Sequence, residues 1–346
     1  MSCGRICIAG TGAVTAAGWG VEAFAAALRT GRPLEPQPKR RRGTPRSINT
    51  LSVPEPPGSF AWSRHPRLRR ASPLTRYAMA AAAEALGPQR IARLRESPFR
   101  LGIIMTMLGG GVVYSGRFFG EVLKDPSLAS PILFPETVYN AHASHVAAVL
   151  ESRAPCCTVV GDSAQFLPAL EMGLDWMLDG RVDGALVVGG EELDWLSTEA
   201  WGLFSDGFAA VGEGAGAVLL EWEASSPAPR IEQITTAETY GPDCPPRLAL
   251  ERVRSALETG QSDPETLLVD SRCGVSRRDA IEDAVWADWS GPRLSPARVV
   301  GDTLGAAGAL QAVAAAHWIG TGCCARAIVS CAGQSQQAAA AEFAIG

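Results

Sequence analysis

The sequence lacks several features on which common classes of protein depend. Its 346 residues include only four histidines, no Cys-x-x-C pair, and no apolar run of the ~18–20 residues that a membrane helix needs. Basic and acidic side chains number 31 and 36, so the basic excess typical of nucleic-acid-binding proteins is missing. Residues 1–20 show no basic segment followed by a long apolar stretch, as a signal peptide would. These absences predict a cytoplasmic globular protein with no nucleic-acid partner and no membrane span.

Nine cysteines are present, but their spacing does not suggest a metal site or a disulfide framework. Two pairs, Cys156–Cys157 and Cys323–Cys324, are adjacent in sequence, and neither has the two-residue gap of a converging zinc-ligand pair. An odd number of cysteines in a long chain also disfavours structural disulfides. We therefore predict reduced cysteines, no metal site and no cofactor.

What the sequence does contain is a series of apolar strands alternating with helices. An apolar run from Arg5 ends in a glycine turn at Gly10 and Gly12, and a helix follows at residues 21–28. Thr15 stands where a dinucleotide-binding fingerprint needs its third glycine, so nucleotide binding is not favoured. Further predicted elements are strands at 101–107, 158–161, 182–190, 214–221, 266–270 and 325–330, and helices at 72–86, 163–178, 278–289 and 305–318. Continuous apolar strands alternating with helices indicate an α/β fold with a largely parallel or mixed sheet covered on both faces.

Residues 33–72 are rich in proline and arginine. They hold the basic cluster 39–42 and four further arginines at Arg64, Arg67, Arg69 and Arg70. A solvated loop is one interpretation, and a landing site for an acidic partner or a phosphate is the other, since arginine matches such groups geometrically.

Five segments, in chain order, resemble the β-ketoacyl synthase branch of the thiolase superfamily. They are residues 8–15 (Ile-Ala-Gly-Thr-Gly-Ala-Val-Thr), 131–144, 179–192, 207–221 and 301–309 (Gly-Asp-Thr-Leu-Gly-Ala-Ala-Gly-Ala). The resemblance spans nearly the whole chain. It implies a thiolase-like fold in which duplicated βαβ halves, residues 1–222 and 223–346, form a five-layered α-β-α-β-α core.

In that family a cysteine at a helix N-terminus takes an acyl group from a carrier protein, and two histidines assist decarboxylation and carbon–carbon bond formation. The matching motifs place Ser163 at the cysteine, Arg272 at the first histidine and Asp302 at the second. Cys156 and Cys157 lie upstream of the nucleophile position. The family's glycine-rich gate near the C-terminus is also altered, reading Ser-Cys-Ala-Gly-Gln-Ser-Gln-Gln at residues 330–337. The resemblance thus implies an inherited pocket whose reactive groups have changed.

Two hypotheses follow for this altered site. In the first, Arg272 and Asp302 form an ion pair that fills the cavity, and the site is degenerate. In the second, Ser163 is the nucleophile of an acyltransferase or thioesterase acting on acyl-carrier-protein or acyl-CoA substrates, with Asp162 or Asp302 assisting, because a serine attacks only beside a base. His142 and His145 occupy no catalytic position of the family, and Gln165 lies two residues too late to imitate a decarboxylating glutamine.

A degenerate site beside a retained interface segment resembles the chain-length-factor-like members of the family. These pair with an active ketosynthase and help to shape the tunnel for the growing chain in type II fatty-acid, polyketide or aryl-polyene biosynthesis. The resemblance implies an acyl-carrier protein as a further partner. The residues expected to line the substrate path are Phe134, Thr137, Asn140 and Phe208. A homodimer stays open as the alternative to a heterodimer, as do the acyl chain length and the pathway.

Overall fold

The computed structural model describes residues 6–40, 47–58, 62, 65–96, 99–204, 210–222, 227–258, 260 and 263–346. The strands are β1 Ile6–Thr15, β2 Gly18–Trp19, β3 Gln37–Arg40, β4 Ser47–Leu51, β5 Leu101–Met107, β6 Cys156–Val160, β7 Gly184–Glu191, β8 Val211–Gly212, β9 Gly214–Trp222, β10 Pro229–Ile234, β11 Glu238–Thr239, β12 Leu267–Val269, β13 Arg293–Leu294, β14 Arg326–Ala332 and β15 Gln337–Ile345. The helices are α1 Val21–Thr30, α2 Pro73–Glu96, α3 Val112–Lys124, α4 Ala141–Val149, α5 Phe166–Leu178, α6 Trp195–Phe204, α7 Pro246–Ala256, α8 Ser276–Val285, α9 Pro296–Val300 and α10 Ala307–Gly320.

Two mixed sheets form the centre of the molecule, and they repeat one pairing plan. The first has the order β2-β1-β9-β7-β5-β6 and the second β10-β15-β14-β12-β13. From β1 to β6 the successive pairings are antiparallel, antiparallel, parallel and parallel. From β10 to β13 the same sequence of pairings recurs. The strands of the two sheets lie on either side of the predicted boundary between residues 222 and 223.

The helices arrange these sheets into five layers, as the resemblance implies. Helices α5 and α10 lie between the sheets, where their side chains share one core with β7, β9, β14 and β15. Helices α2 and α4 cover the outer face of the first sheet, and α7 and α8 cover the outer face of the second. The thiolase-like fold is therefore confirmed. The shared middle layer makes the two sheets one packing unit, because its apolar side chains leave water only when both are present.

The glycine turn expected at Gly10 and Gly12 is wrong, because β1 runs through both glycines to Thr15. Helix α2 crosses β1 so closely that a Cβ on Gly10 would lie 2.0 Å from the carbonyl oxygen of Ala85. A Cβ on Gly12 would lie 1.9 Å from the carbonyl oxygen of Ala81. These glycines permit close helix–strand packing rather than a turn.

A third, small sheet of β3, β4 and β8 lies beside the loop that follows α9. Val211 of β8 forms a bridge to Asp302, and the amide of Gly212 donates to the carbonyl oxygen of Asp302 at 2.8 Å. This sheet therefore fixes the backbone of a residue that the sequence places in the site. No helix in the described ranges is both long and apolar enough to cross a bilayer.

Candidate functional site

Ser163 lies at the beginning of a helix, where the motif places it. Strand β6 ends at Val160, and a 3-10 turn, Ser163–Gln165, leads directly into α5. The side chain is 4% exposed. Helix α10 packs closely against it, because a Cβ on Gly308 would lie 2.1 Å from the carbonyl oxygen of Ser163.

The cavity beside Ser163 is almost completely filled. Its volume is about 10 Å³, which is room for roughly one water molecule. An acyl chain does not fit into this volume. The residues that line it are Ser163, Ser271, Arg278, Pro296, Ala297, Val300, Asp302, Thr303, Ala307, Leu310 and Gln311.

Asp302 is engaged through both of its carboxylate oxygens. Its Oδ2 accepts hydrogen bonds from Arg278 Nη1 at 2.7 Å and from Gln334 Nε2 at 3.1 Å. Its Oδ1 accepts from the amide of Leu304 at 2.9 Å. Burial disfavours the charged form of Arg278, but the neighbouring groups, Asp302 foremost, together raise the pKa of the guanidinium. In the cavity wall the Asp302 carboxylate is therefore hydrogen-bonded through both oxygens and is not a free base.

The partner of Asp302 is thus Arg278, and the predicted pairing with Arg272 is wrong. Arg272 Nε contacts Asp270 at 3.0 Å, and its Nη1 contacts Asp283 at 3.2 Å. Asp270 lies two residues before Arg272 and is completely buried. Because it is so near in the chain, Asp270 pairs with the Arg272 guanidinium. Arg278 reaches the cavity instead, because the first turn of α8 points it there. No motif in the sequence marks this position.

The ring of Trp201 lies over the guanidinium of the Arg278–Asp302 pair. The guanidinium of Arg278 lies 5.5 Å from the ring centroid of Trp201, a buried residue of α6. Trp201 packs in a cluster with Leu193, Val211, Cys273, Val275, Ala297 and Leu304. Sequence reasoning missed Trp201, because α6 carries no family motif.

The four histidines all bond elsewhere. His142 Nδ1 lies 2.8 Å from Thr75 Oγ1, and burial lowers its pKa to about 4. His145 pairs with Glu136, His317 contacts Arg29, and His65 accepts from the amide of Arg67. A serine attacks only beside a base, and none of the four histidines supplies one to Ser163.

No upstream thiol replaces the missing nucleophile either. Cys156 pairs with Ile103 at the first residue of β6, at the opposite end of the strand from Ser163. Burial raises the pKa of its thiol to about 11, and the adjacent Cys157 adds to the shift. A thiol with a raised pKa is mostly protonated at neutral pH, and Cys156 lies at the wrong end of β6 to act at the beginning of α5.

The residues expected to line a substrate path lie apart from this cavity. Phe134 is 55% exposed on a 3-10 turn and packs against Phe118 at a ring-centroid distance of 5.7 Å. Thr137 donates to the carbonyl oxygen of Phe134 at 2.7 Å, and Asn140 is exposed just before α4. Phe208 lies outside the described residues. A role in substrate binding stays a prediction for all four.

With this geometry established, the comparisons with known proteins identify the family. A family model described as "Beta-ketoacyl synthase, N-terminal domain" matches residues 4–226, well over half of the chain. The chain belongs to the β-ketoacyl synthase family. No curated protein sequence matches this β-ketoacyl synthase family member significantly.

Solved structures of β-ketoacyl synthase relatives share its fold. The ishigamide ketosynthase/chain length factor superposes with a TM-score of 0.81 at 22% identity, covering 99% of both chains. A β-ketoacyl synthase from Burkholderia phymatum has a TM-score of 0.78 at 18% identity, covering 99% of this chain and 100% of that one. A ketosynthase in complex with its chain length factor from Xenorhabdus doucetiae has a TM-score of 0.77 at 16% identity, covering 99% and 98%. At these identities the likeness establishes the fold.

Buried carboxyl groups join the loops of this β-ketoacyl synthase fold near the site. Glu191, at the end of β7, accepts hydrogen bonds from the amides of Leu108, Gly109 and Gly305 at 2.9, 3.0 and 3.2 Å. Burial raises its pKa to about 8, although these amides act in the opposite direction. Glu282 of α8 is also buried, and its pKa is likewise raised to about 8.

The raised pKa of Glu191 predicts a stability that falls as the pH rises. Between the ordinary value of 4.5 and about 8, the folded protein retains a proton that the unfolded chain has lost. The contribution of Glu191 to the free energy of unfolding should therefore be greatest below pH 4.5. It should decrease between pH 4.5 and about pH 8, by up to about 1.4 kcal/mol per pH unit. Urea unfolding between pH 5 and pH 8 measures this slope. Glu191→Gln should reduce it, whereas the same change at exposed Glu96 should leave it intact; an equal slope in all three proteins would contradict the prediction.

Proposed function

We propose that this chain is a cytoplasmic, non-condensing partner subunit of the chain-length-factor type. It would pair with an active β-ketoacyl-carrier-protein synthase in type II fatty-acid, polyketide or aryl-polyene biosynthesis. The observation that carries the proposal is the state of the site: Ser163 borders a cavity of about 10 Å³, and its neighbours Arg278 and Asp302 are bonded to each other. A condensing enzyme needs an activated nucleophile and space for an acyl group, and this site offers neither.

A large exposed apolar surface supports a role in assembly. Helix α3 has no buried residue, although it is 13 residues long. We call the large exposed apolar side chains of α3 and the segment after it the α3 face; they are Val113, Phe119, Leu123, Leu128, Ile132, Phe134, Val138 and Tyr139. Contiguous apolar surface of this kind marks a protein–protein interaction site.

The edge of the first sheet extends this surface. Strand β6 is the last strand of that sheet, and its Val160 is exposed. Contacts run from β6 to α4, from α4 to the 3-10 turn at Phe134–Thr137, and from that turn to α3. An open strand edge beside an apolar face is a template for pairing with another chain. We therefore assign the α3 face and the β6 edge to the partner synthase.

Relatives of the same fold assemble in the proposed way. The ishigamide and Xenorhabdus doucetiae structures are described as a ketosynthase with a chain length factor. Another similar structure contains a ketosynthase bound to its acyl-carrier protein and a hexaketide, with a TM-score of 0.76 at 15% identity. We transfer this type of partner to the present chain as part of the proposal.

An acidic carrier protein is the third expected member of the assembly. Arg67, Arg69 and Arg70 are exposed on the turns that precede α2. Tyr114 of α3 donates to the carbonyl oxygen of Arg70 at 2.6 Å, so these arginines lie next to the α3 face. An arginine cluster attracts an acidic protein and speeds its encounter.

Co-expression tests the proposed assembly. The chain is produced with and without a ketosynthase that retains its cysteine and both histidines, and the mass of the purified product is measured. We expect a 1:1 complex that forms β-ketoacyl products from malonyl-carrier protein, and no product from this chain alone. A stable homodimer of this chain that does not bind the ketosynthase would overturn the proposal.

Ser163 itself should stay unmodified. Incubation with acyl-carrier protein or acyl-CoA, followed by intact-protein mass measurement, should show no acyl adduct, because no histidine reaches Ser163 and the cavity beside it has no space for an acyl group. The intact ketosynthase is the positive control in the same experiment. An adduct that disappears in Ser163→Ala would favour the acyltransferase or thioesterase hypothesis instead.

A further inference from the structure

A groove lies at the opposite end of α5 from Ser163, beside the edge strand β10. The turn that holds Ser163 leads into α5, and Leu178 is the last residue of that helix. About 20 Å of helix therefore separates the groove from the Ser163 cavity. The volume of the groove is about 390 Å³, which lies in the range of ~300–1,000 Å³ typical of small-molecule sites. We call it the β10 groove.

Five apolar side chains form the walls of the β10 groove; they are Ile6, Leu174, Leu178, Trp222 and Ile231. Ile6, Leu174 and Ile231 also pack against the central core, so these walls are in place before any ligand binds. Leu178 is 62% exposed and Trp222 is 37% exposed. An aliphatic chain in the groove is favoured, because its binding removes apolar surface of both partners from water.

One guanidinium group borders the β10 groove. Arg230 Nε pairs with Glu232, and both residues line the groove. Arg230 Nη1 is buried and has no hydrogen-bond acceptor within the described ranges. A charged donor without an acceptor is costly, and a carboxylate matches the fork of guanidinium N–H groups. The Arg230 side chain is 24% exposed, so a solute in the groove can reach it.

A second arginine offsets the negative charge of Glu232. Arg230 of β10 and Arg326 of β14 both stand opposite Ala344 of β15. Residues in one cross-strand row project from the same face of a sheet, and two strand spacings place these two roughly 10 Å apart. Two guanidinium groups against one carboxylate make this face complementary to an anion.

We propose that the β10 groove binds the anion of an aliphatic monocarboxylic acid. The carboxylate accepts hydrogen bonds from Arg230, and the aliphatic chain lies against Leu174, Leu178 and Trp222. The lining supports both parts of this ligand, because apolar walls suit the chain and a guanidinium suits the head group. The site is separate from the Ser163 cavity, and it stands whether or not the chain acts as a partner subunit.

Calorimetric titration with hexanoate, octanoate and 1-octanol, each below the concentration at which it forms micelles, tests the ligand class. Each buried methylene group strengthens binding about fourfold, so octanoate should bind about 15-fold more tightly than hexanoate. 1-Octanol has the same number of carbon atoms as octanoate but lacks the carboxylate. It should bind at least about 10-fold more weakly than octanoate, because a hydrogen bond between charged groups is lost.

Three variants test the two parts of the groove. Arg230→Met removes the guanidinium and should weaken octanoate binding at least about 10-fold, with 1-octanol binding unchanged. Loss of folding would not produce this difference between the two ligands. Leu178→Asp places a carboxylate in the apolar wall and should weaken the binding of both ligands. Glu232→Gln removes a repulsive charge and should preserve or strengthen octanoate binding.

Arg95→Met is the matched control. Arg95 also lines a cavity of about 390 Å³, and it also pairs with a carboxylate, that of Glu151, at 3.4 Å. The same substitution should leave the affinity for octanoate unchanged there.

Three results would overturn the inference. One is the absence of saturable octanoate binding, and another is an octanoate affinity that Arg230→Met does not change. The third is sedimentation of the chain with phosphatidylglycerol vesicles while free octanoate does not bind, which would assign the groove to a lipid surface instead. Every measurement uses this chain alone, so a failure to assemble with a ketosynthase would not affect them.

Discussion

Phe119→Asp should prevent assembly with the partner ketosynthase. Phe119 is 60% exposed in the middle of the α3 face, and the proposed function buries it against the partner. An unpaired charge buried in an interface costs about 2–5 kcal/mol, which weakens binding roughly 30-fold to several-thousand-fold. Titration of the purified partner, followed by analytical ultracentrifugation or calorimetry, measures this loss.

Leu178→Asp is the matched control for this experiment. Leu178 is as exposed as Phe119, but it lies at the C-terminal end of α5, beside Trp222 and Ile231. The same change of a large apolar side chain into a carboxylate should leave association intact there. Loss of binding in Leu178→Asp, with normal binding in Phe119→Asp, would indicate that the interface lies on the surface around Leu178 instead.

Arg278→Met should destabilise the protein strongly. The substitution leaves the buried carboxylate of Asp302 without its cation, and breaking one partner of a buried pair costs about 3–5 kcal/mol. A quarter of the Arg278 side chain is exposed, so water screens part of the interaction and the lower value, about 3 kcal/mol, is expected. Urea unfolding measures the change.

A double-mutant cycle distinguishes this pair from the one that the motif suggests. Arg278→Met and Asp302→Asn together should cost less than the sum of the single changes, because no unpaired charge remains. The losses of unfolding free energy in Arg272→Met and Asp302→Asn should be additive. Arg272→Met alone should destabilise the protein less than Arg278→Met does, since Arg293 still pairs with Asp270 at 2.9 Å. Coupling between Arg272 and Asp302 would contradict the observed geometry.

Many of the central strands and helices were predictable from local sequence, because each of these carries its own signal. The apolar runs at 101–107 and 214–221 became β5 and β9, and the alanine-rich segment became α10. The same local reasoning misread Gly10 and Gly12 as a turn. Their small size lets α2 pack closely against β1. Because α2 begins far along the chain, at Pro73, this contact could not be predicted from the local sequence.

The candidate site, too, was only partly predictable from the sequence. Motif position placed Ser163 at a helix N-terminus and Asp302 beside it, since both follow from spacing within a strand–turn–helix unit. Motif position also put Arg272 beside Asp302. A flexible arginine side chain bonds to whichever carboxylate packing brings within reach, and Asp270 is the nearer one for Arg272.

The amino-acid order alone thus determined the family and the layered α/β plan, and it predicted Ser163 and Asp302 at positions where the family carries a thiol and an imidazole. Tertiary packing alone decided that Arg278 pairs with Asp302, that the ring of Trp201 lies over Arg278, and that the turn at residues 333–336 bonds to Asp162. The physical reason is range: secondary structure and motif position depend on residues near one another in the chain. The choice of ion-pair partner and the volume of a cavity depend instead on side chains that only the folded backbone brings within a few ångströms.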